Sequence, residues 1–543
     1  MRERLYIFDT TLRDGQQTAG VDFSTDDKLR IAHALDALGV DYVEGGYPGA
    51  NPTDTQFFEK CSSEKPLSGA QLVAFGMTKR VGRSADNDPG FMEVLSAAAD
   101  AVCLVAKSWD YHVDIALGIS NEENLEAIKE SVEAVCAHNR EAMIDCEHFF
   151  DGYKANPDYA LACAQAAADA GARWVVLCDT NGGTLPHEVY AITQAACEHI
   201  DGARLGIHAH NDTDNAVANS LAAVQAGVRQ VQGTINGLGE RCGNANLISL
   251  IPTILLKTDI AARFETGIDP KNLPQVRSIS RLLDEILNRT PNRHAPYVGA
   301  AAFAHKGGIH VSAVMKDPTT YEHINPDLVG NERVVLVSDQ AGKSNIINRM
   351  LAANMEFDPK DPAIDHILRQ VKEKELDGYS YDGVGASFEL LALRALKRLP
   401  EFFAVAGYNV AIDNRTIDNK ERTLSKAQVE LVIDGEDVAG QGEGNGPINA
   451  LDMALRGALA MAGRDDLKRY SATISKMRLV DFKVRILNTG TEAVTRVTIE
   501  SVDESGTTWR TIGVNANIVV ASFEALMDSV IYKLIKDEVS PTL

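Results

Sequence analysis

Long apolar runs are missing from this sequence. No stretch of its 543 residues reaches the roughly 18 consecutive apolar residues that a membrane-spanning helix requires, so no membrane segment is expected. The opening residues Arg2-Glu3-Arg4-Leu5 lack the apolar core of a signal peptide, and a cytoplasmic location is the expectation. Positive charge is scarce: Lys+Arg 53 against Asp+Glu 76 leaves a net charge of −23, which argues against a nucleic-acid partner. Paired cysteines are missing too. The 8 cysteines all lie between Cys61 and Cys242, and none forms a C-x-x-C pair. That speaks against a disulfide frame or a cysteine zinc cluster and for reduced, mostly buried thiols. No G-x-G-x-x-G follows the first strand-like run, which counts against a dinucleotide fold.

What the sequence does have is a rhythm. Up to about residue 260, short apolar runs alternate with helical patterns. Strands are expected at Leu5–Phe8, Tyr42–Gly45, Leu72–Phe75, Ala101–Val105, Ala142–Glu147, Trp174–Cys178, Arg204–Ala209 and Gln230–Ile235. Strands that are apolar almost throughout are buried on both faces. Helix boundaries are marked as well: Ser24-Thr25-Asp26-Asp27 offers a cap, and Gly39, Gly171 and Gly227 follow helix ends. Eight such units predict an α/β fold, a (β/α)8 TIM barrel over residues 1–265.

In a barrel of this kind chemistry gathers at the C-terminal ends of the strands. There the sequence places Asp9, Arg13 and Asp14 after the first strand, Glu44 at the second, Glu147 at the fifth, Asp179 and Thr180 at the sixth, and His208 and His210 at the seventh. Residues i and i+2 of a strand share a face, so the two imidazoles stand side by side. A lone histidine is usually structural; two at this spacing beside Asn211-Asp212 read as metal ligands. With Asp14 they make a two-histidine, one-carboxylate set that leaves coordination positions for substrate and water. The donors are compatible with Zn, Mn, Co or Mg as the divalent metal ion. An arginine beside such a set can stabilise an oxygen that gains negative charge.

The stretch Asp9–Gln17, the run His208-Ala209-His210-Asn211-Asp212 and the loop Gly239-Glu240-Arg241-Cys242-Gly243-Asn244 resemble the signature of the DRE-TIM metallolyases. That family holds isopropylmalate, homocitrate and citramalate synthases, HMG-CoA lyase and biotin-dependent carboxyltransferases. Glu44-Gly45-Gly46-Tyr47-Pro48-Gly49-Ala50-Asn51-Pro52, Lys107–His112 and Glu147–Lys154 resemble the citramalate synthase branch. The resemblance implies Asp14, His208 and His210 as metal ligands with Asn244 as a fourth, and Arg13 as the group that holds and polarises a ketone oxygen. It implies that Glu147 and Thr180 contact a bound 2-oxo acid, with Gln17 and Glu44 in the same substrate pocket. Position 16 departs from isopropylmalate synthases, which carry Glu where this chain has Gln16. The implied reaction joins acetyl-CoA to pyruvate, giving (R)-citramalate and CoA on the way to isoleucine. The alternative is a 2-isopropylmalate synthase taking 2-oxoisovalerate; a carbon–carbon lyase is a third reading.

Beyond residue 265 the rhythm stops. Accessory subdomains are expected over 266–400, with helices at Arg277–Asn288, Pro362–Leu376 and up to about Lys397. His305-Lys306-Gly307-Gly308-Ile309-His310 resembles a segment of the synthases that reaches over a partner subunit's active site. The resemblance makes His310 and Tyr321 catalytic candidates and a homodimer the expected assembly. Over 401–543 a strand set plus helix is used twice. Ala427–Ile433, a turn at Asp434-Gly435, Asp437–Gln441 and a helix to about Ala462 form the first copy. Asp481–Leu487, Val494–Val502, Thr508–Val514 and a last helix form the second. This α+β repeat resembles the allosteric regulatory domain of the same synthases, which implies isoleucine as effector.

Overall fold

The computed structural model describes residues 2–338, 340–417, 420–461, 468–487 and 493–541; Ala462, an expected helix end, lies outside them. The chain divides into two compact units, Met1–Phe303 with His323–Arg333 and Ala304–Glu322 with Val334–Leu543.

The first unit is built on eight parallel strands: β1 (Tyr6–Asp9), β2 (Tyr42–Gly46), β3 (Gln71–Met77), β4 (Ala101–Lys107), β5 (Glu141–Glu147), β6 (Trp174–Asp179), β7 (Leu205–Ala209) and β8 (Gln230–Gly233). They close into a barrel, with β1 paired to both β2 and β8. Every strand read from the sequence is present, with ends displaced by a few residues. Alternation explains why the strands are apolar on both faces. Ile7, Val43, Leu104, Ile144, Leu177 and Ile207 point outward into the shell of helices. Phe8, Tyr42, Cys103, Met143, Trp174 and Val176 point inward and fill the barrel. The polar atoms of that inner layer are paired: Trp174 Nε1 donates to Tyr42 Oη (3.1 Å), which donates to Glu141 Oε1 (2.7 Å). Toward the C-terminal ends the inward positions turn polar, with Glu44, Asp145, His208 and Gln232 all buried. The layer change is where the site begins.

Local chemistry sets the helices. Thr25–Leu38 starts at a reciprocal cap between Ser24 and Asp27 and stops at Gly39, whose φ of 100° needs no Cβ to be accommodated. Phe149–Ala155 was not legible in the sequence. It begins one residue after β5, with no Ser, Thr, Asp or Asn to announce it. The first unit also runs past residue 265, because helix Gln275–Ile286 buries Val276, Ile279 and Leu283 in the same core as the barrel helices.

In the second unit, helices Gly308–Val314, Lys343–Ala352, Ala363–Leu376 and Gly385–Ala395 precede two copies of one arrangement. Antiparallel strands Ala404–Ile417, Lys420–Ile433 and Glu436–Gly444 carry helix Pro447–Met461; strands Met477–Ile486, Thr495–Asp503 and Thr508–Asn515 carry helix Ile518–Lys536. The first strand of the first copy escaped the sequence reading: it is largely exposed, and only Tyr408, Val410 and Ile412 carry an apolar alternation. The expected turn is there, with positive φ at Asp434 (53°) and Gly435 (80°). Each copy seats its helix on a glycine: a Cβ at Gly440 would lie 2.1 Å from Ala454 O, and one at Gly513 2.0 Å from Ala521 O. Among the described residues no helix is long and apolar enough to cross a membrane.

Candidate active site

The loop after β1 turns Arg13 and Asp14 over the barrel mouth. Thr10 fixes the turn: its hydroxyl donates to Glu44 Oε2 (2.5 Å) and accepts from Asp14 N (3.2 Å). Lys28, fully buried, reaches up from helix Thr25–Leu38 and donates to Leu12 O (2.8 Å), Gly45 O (3.0 Å) and the Asp54 carboxylate. Those carbonyls flank Arg13 and Glu44 in the chain, so one ammonium ties together the two strand ends that carry them. Burial pulls the Lys28 pKa down, against the pull of Asp54. Lys28→Met would strand the Asp54 carboxylate in the core, and unfolding stability is expected to fall by about 3–5 kcal/mol. Urea denaturation measures this directly; a variant as stable as the parent would contradict the role of that contact.

Arg13 sits in a socket. Its Nε donates to Glu44 Oε2 (2.8 Å), its NH2 lies 3.9 Å from Asp145 Oδ2, its NH1 lies 3.5 Å from Asp14 Oδ2, and its guanidinium carbon stands 4.0 Å from the centre of the Phe75 ring. Burial disfavours the charge, but Glu44, Asp14 and Asp145 outweigh it and hold the arginine ionised. Glu44 is 0% exposed and touches the cavity only through Arg13. Its pKa is raised, by burial first and by Asp145, with Arg13 opposing. Glu44, Cys103 and Asp145 bring ligand-type atoms within 4.8 Å of one another. With the Arg13 guanidinium already against this group, and burial pushing the Cys103 thiol well up, it is a counter-charge for arginine.

The second cluster is Asp14, His208 and His210, also within 4.8 Å. Asp14 Oδ2 lies 3.2 Å from His208 Nε2 and 3.7 Å from His210 Nε2, and the two Nε2 atoms are 3.3 Å apart. Burial pushes the Asp14 carboxyl up, but Arg13 and the two histidines hold it well below the ordinary carboxylate range. Burial and the neighbouring His208 bring His210 down to about 4, so its ring is neutral near pH 7. For His208, burial opposes protonation and Asp14 wins, raising it. Gln232 sets the His208 tautomer: His208 Nδ1 donates to Gln232 Oε1 (2.8 Å), and Gln232 Nε2 donates to Asp145 Oδ1 (3.1 Å). Asp145 therefore links the arginine socket to the imidazole. Asn244 is bridged through its backbone to His210. Asp14 Oδ1 and Asn244 Oδ1 are buried without a partner among the described residues. Converging nitrogens, an excess of carboxylates over the single arginine and two unsatisfied oxygens fit a divalent cation.

Arg13, Asp14, His208 and His210 line a cavity of about 190 Å³, with Phe75 and Val105 as its apolar wall. Gln17, Glu147 and Thr180 line it as well. Glu147 is ion-paired to Lys107. His310 and Tyr321 belong to the second unit, where their rings stack at 4.2 Å. Gln232, Asp145 and Lys107 were missed in the sequence. A signal existed for Gln232, since Gln230, Gln232 and Thr234 are polar at every second position of a strand in a dry barrel.

Residues 4–279 match the HMGL-like family, residues 297–377 the homocitrate synthase post-HMGL domain-like family, and residues 384–534 the LeuA allosteric (dimerisation) domain. An (R)-citramalate synthase of Aquifex aeolicus is 47% identical over 99% of this chain and 99% of its own length. One of Geobacter sulfurreducens is 48% identical over 98% of each. The chain belongs to the (R)-citramalate synthase family. A probable 2-isopropylmalate synthase of Methanopyrus kandleri is more distant, at 32% identity over 98% of each chain. The HMGL-like family is divalent-metal dependent, in keeping with the donor set at the barrel mouth.

Proposed function

We propose that this chain is an (R)-citramalate synthase, an acyltransferase that condenses acetyl-CoA with pyruvate and water to give (R)-citramalate and CoA. The observation that carries the reading is full-length identity of 43–48% to five (R)-citramalate synthases. The barrel mouth supplies the matching chemistry. A divalent cation held by Asp14, His208 and His210, with Asn244 as the proposed fourth ligand, would supply Lewis acidity to the 2-oxo group. Arg13, already locked by Glu44, Asp145 and Phe75, offers N–H donors to the ketone oxygen as that oxygen gains negative charge. Because the socket is built before substrate arrives, little reorganisation is needed at the moment of attack. Thr180 and Gln17 are assigned to the pyruvate carboxylate. Glu147 is assigned to proton movement, and His310 and Tyr321 are proposed as catalytic groups that act at a partner subunit's active site. A methyl proton of acetyl-CoA leaves, the new carbon–carbon bond forms at the ketone carbon, and hydrolysis of the thioester releases CoA. Product analysis tests the reading. Incubation with acetyl-CoA and pyruvate is expected to give citramalate that co-elutes with the R standard on a chiral column; the S form, or no C5 acid, would refute it.

The division of labour we infer is catalysis in 1–265, accessory function in 266–400 and regulation in 401–543. Support for a homodimer comes from the exposed apolar side chains of Val480, Val484 and Ile486 on strand Met477–Ile486, within the region that matches the dimerisation domain. A monomeric mass in solution would overturn it. Isoleucine is the inferred effector, which places the enzyme in isoleucine formation. Inhibition by isoleucine over leucine and valine is the result expected; no inhibition by any of the three would remove the proposal.

A further inference from the structure

His148 takes a backbone conformation that side chains rarely adopt. Its φ of 58° and ψ of 32° lie in the left-handed region, where a Cβ crowds the neighbouring carbonyl. After β6 the chain uses a loop before helix Pro186–Cys197 begins; after β5 a single residue makes the whole turn.

The turn has a local consequence. It aims the His148 amide N–H at Thr180 Oγ1, 2.8 Å away. A threonine hydroxyl has one hydrogen to give and two lone pairs to receive with. The His148 N–H occupies a lone pair, and Arg241 NH2 donates to the Thr180 carbonyl at 2.7 Å. What remains is the hydroxyl hydrogen, on a residue that lines the barrel-mouth cavity.

The His148 imidazole is engaged elsewhere. Its Nδ1 lies 3.2 Å from Asp151 Oδ2, which also accepts from Asn181 Nδ2 (2.9 Å). Its ring stands 4.2 Å from that of His112 and 5.8 Å from that of Trp109. The helix behind it is pressed against the end of β4, for a Cβ at Gly152 would lie 2.5 Å from Ser108 O. These contacts hold the turn in place, so the strained backbone is over-determined by its surroundings.

We propose that His148 is a positioning residue for the 2-oxo acid. Its left-handed backbone directs one N–H to Thr180 so that the Thr180 hydroxyl presents its hydrogen to a substrate carboxylate oxygen. The identity of that substrate rests on the function proposed above.

The test is a set of variants assayed for pyruvate KM, acetyl-CoA KM and melting temperature. His148→Gly and His148→Asn tolerate the left-handed turn and keep the N–H, and are expected within about threefold of wild type in pyruvate KM. His148→Val, β-branched, is expected to raise pyruvate KM roughly tenfold, the worth of one hydrogen bond, with acetyl-CoA KM unchanged. Thr180→Val should match that loss, and the double variant should add nothing to it. Should the valine variant not fold, His148→Ala against His148→Gly reads the same difference, since both lack the ring and only glycine is free of the strain. A glycine variant as impaired as the valine variant would overturn the proposal in favour of the imidazole itself; so would full additivity with Thr180→Val. Wild-type turnover separates the two readings. If wild type uses another 2-oxo acid, the proposed function fails, and the same series on that acid still decides the role of His148.

Discussion

His208→Ala and His210→Ala are each expected to lose bound metal and turnover together. In both, one of two converging imidazole nitrogens disappears, and the Asp14 carboxylate is left facing a single histidine. Titration calorimetry with Mn²⁺ on chelator-treated protein, beside CoA release, is expected to show no saturable site at micromolar metal and no turnover above background. Gln232→Ala provides the graded control. It leaves every ligand in place but frees the His208 ring and its tautomer, and it is expected to weaken metal binding by roughly 10–100-fold. Metal at high concentration should restore its activity, and should not restore either histidine variant. Full metal binding by His208→Ala would contradict the assignment of the cluster.

The second large effect falls on Arg13. Arg13→Lys keeps a positive charge but loses the fork that meets Glu44 on one side and Asp145 on the other, together with stacking on Phe75. A loss of roughly 10²–10³ in kcat is expected, as for removal of a donor to a developing oxyanion, with pyruvate KM changing far less. Arg13→Met should be worse in a different way. It leaves Glu44 and Asp145 buried with no cation between them, so a folding loss of about 3–5 kcal/mol accompanies the loss of activity. Folding and activity are read separately by urea denaturation and by CoA release. An Arg13→Lys variant that raises KM while keeping kcat would mean that the arginine binds substrate and product-forming state alike.

The fold was largely legible because a barrel strand is buried on both faces and therefore spells itself as a continuous apolar run between helix caps. The His208/His210 pair was legible because strand parity is a local rule: i and i+2 share a face wherever the strand goes. Arg13 and Asp14 were legible as strand-end polar residues. Their support was not. Lys28 acts on a carboxylate in the next helical segment, and Gln232 reaches Asp145 from the opposite wall of the barrel; neither pairing follows from spacing along the chain. Glu44 was read as a substrate contact, whereas its carboxylate lies behind Arg13, fully buried. The turn at His148 was invisible because a left-handed backbone is uncommon for any residue but glycine, and its packing rather than its spacing in the chain accounts for it.

The measurement that bears most directly on the account is CoA release from acetyl-CoA with divalent metal, compared across pyruvate, 2-oxobutanoate, 2-oxoisovalerate and 2-oxoglutarate. A small cavity walled by Phe75 and Val105, in a chain of this family, predicts release that depends on the metal and is strongest with pyruvate. Strongest release with 2-oxoisovalerate, or release that survives complete removal of metal, would contradict it.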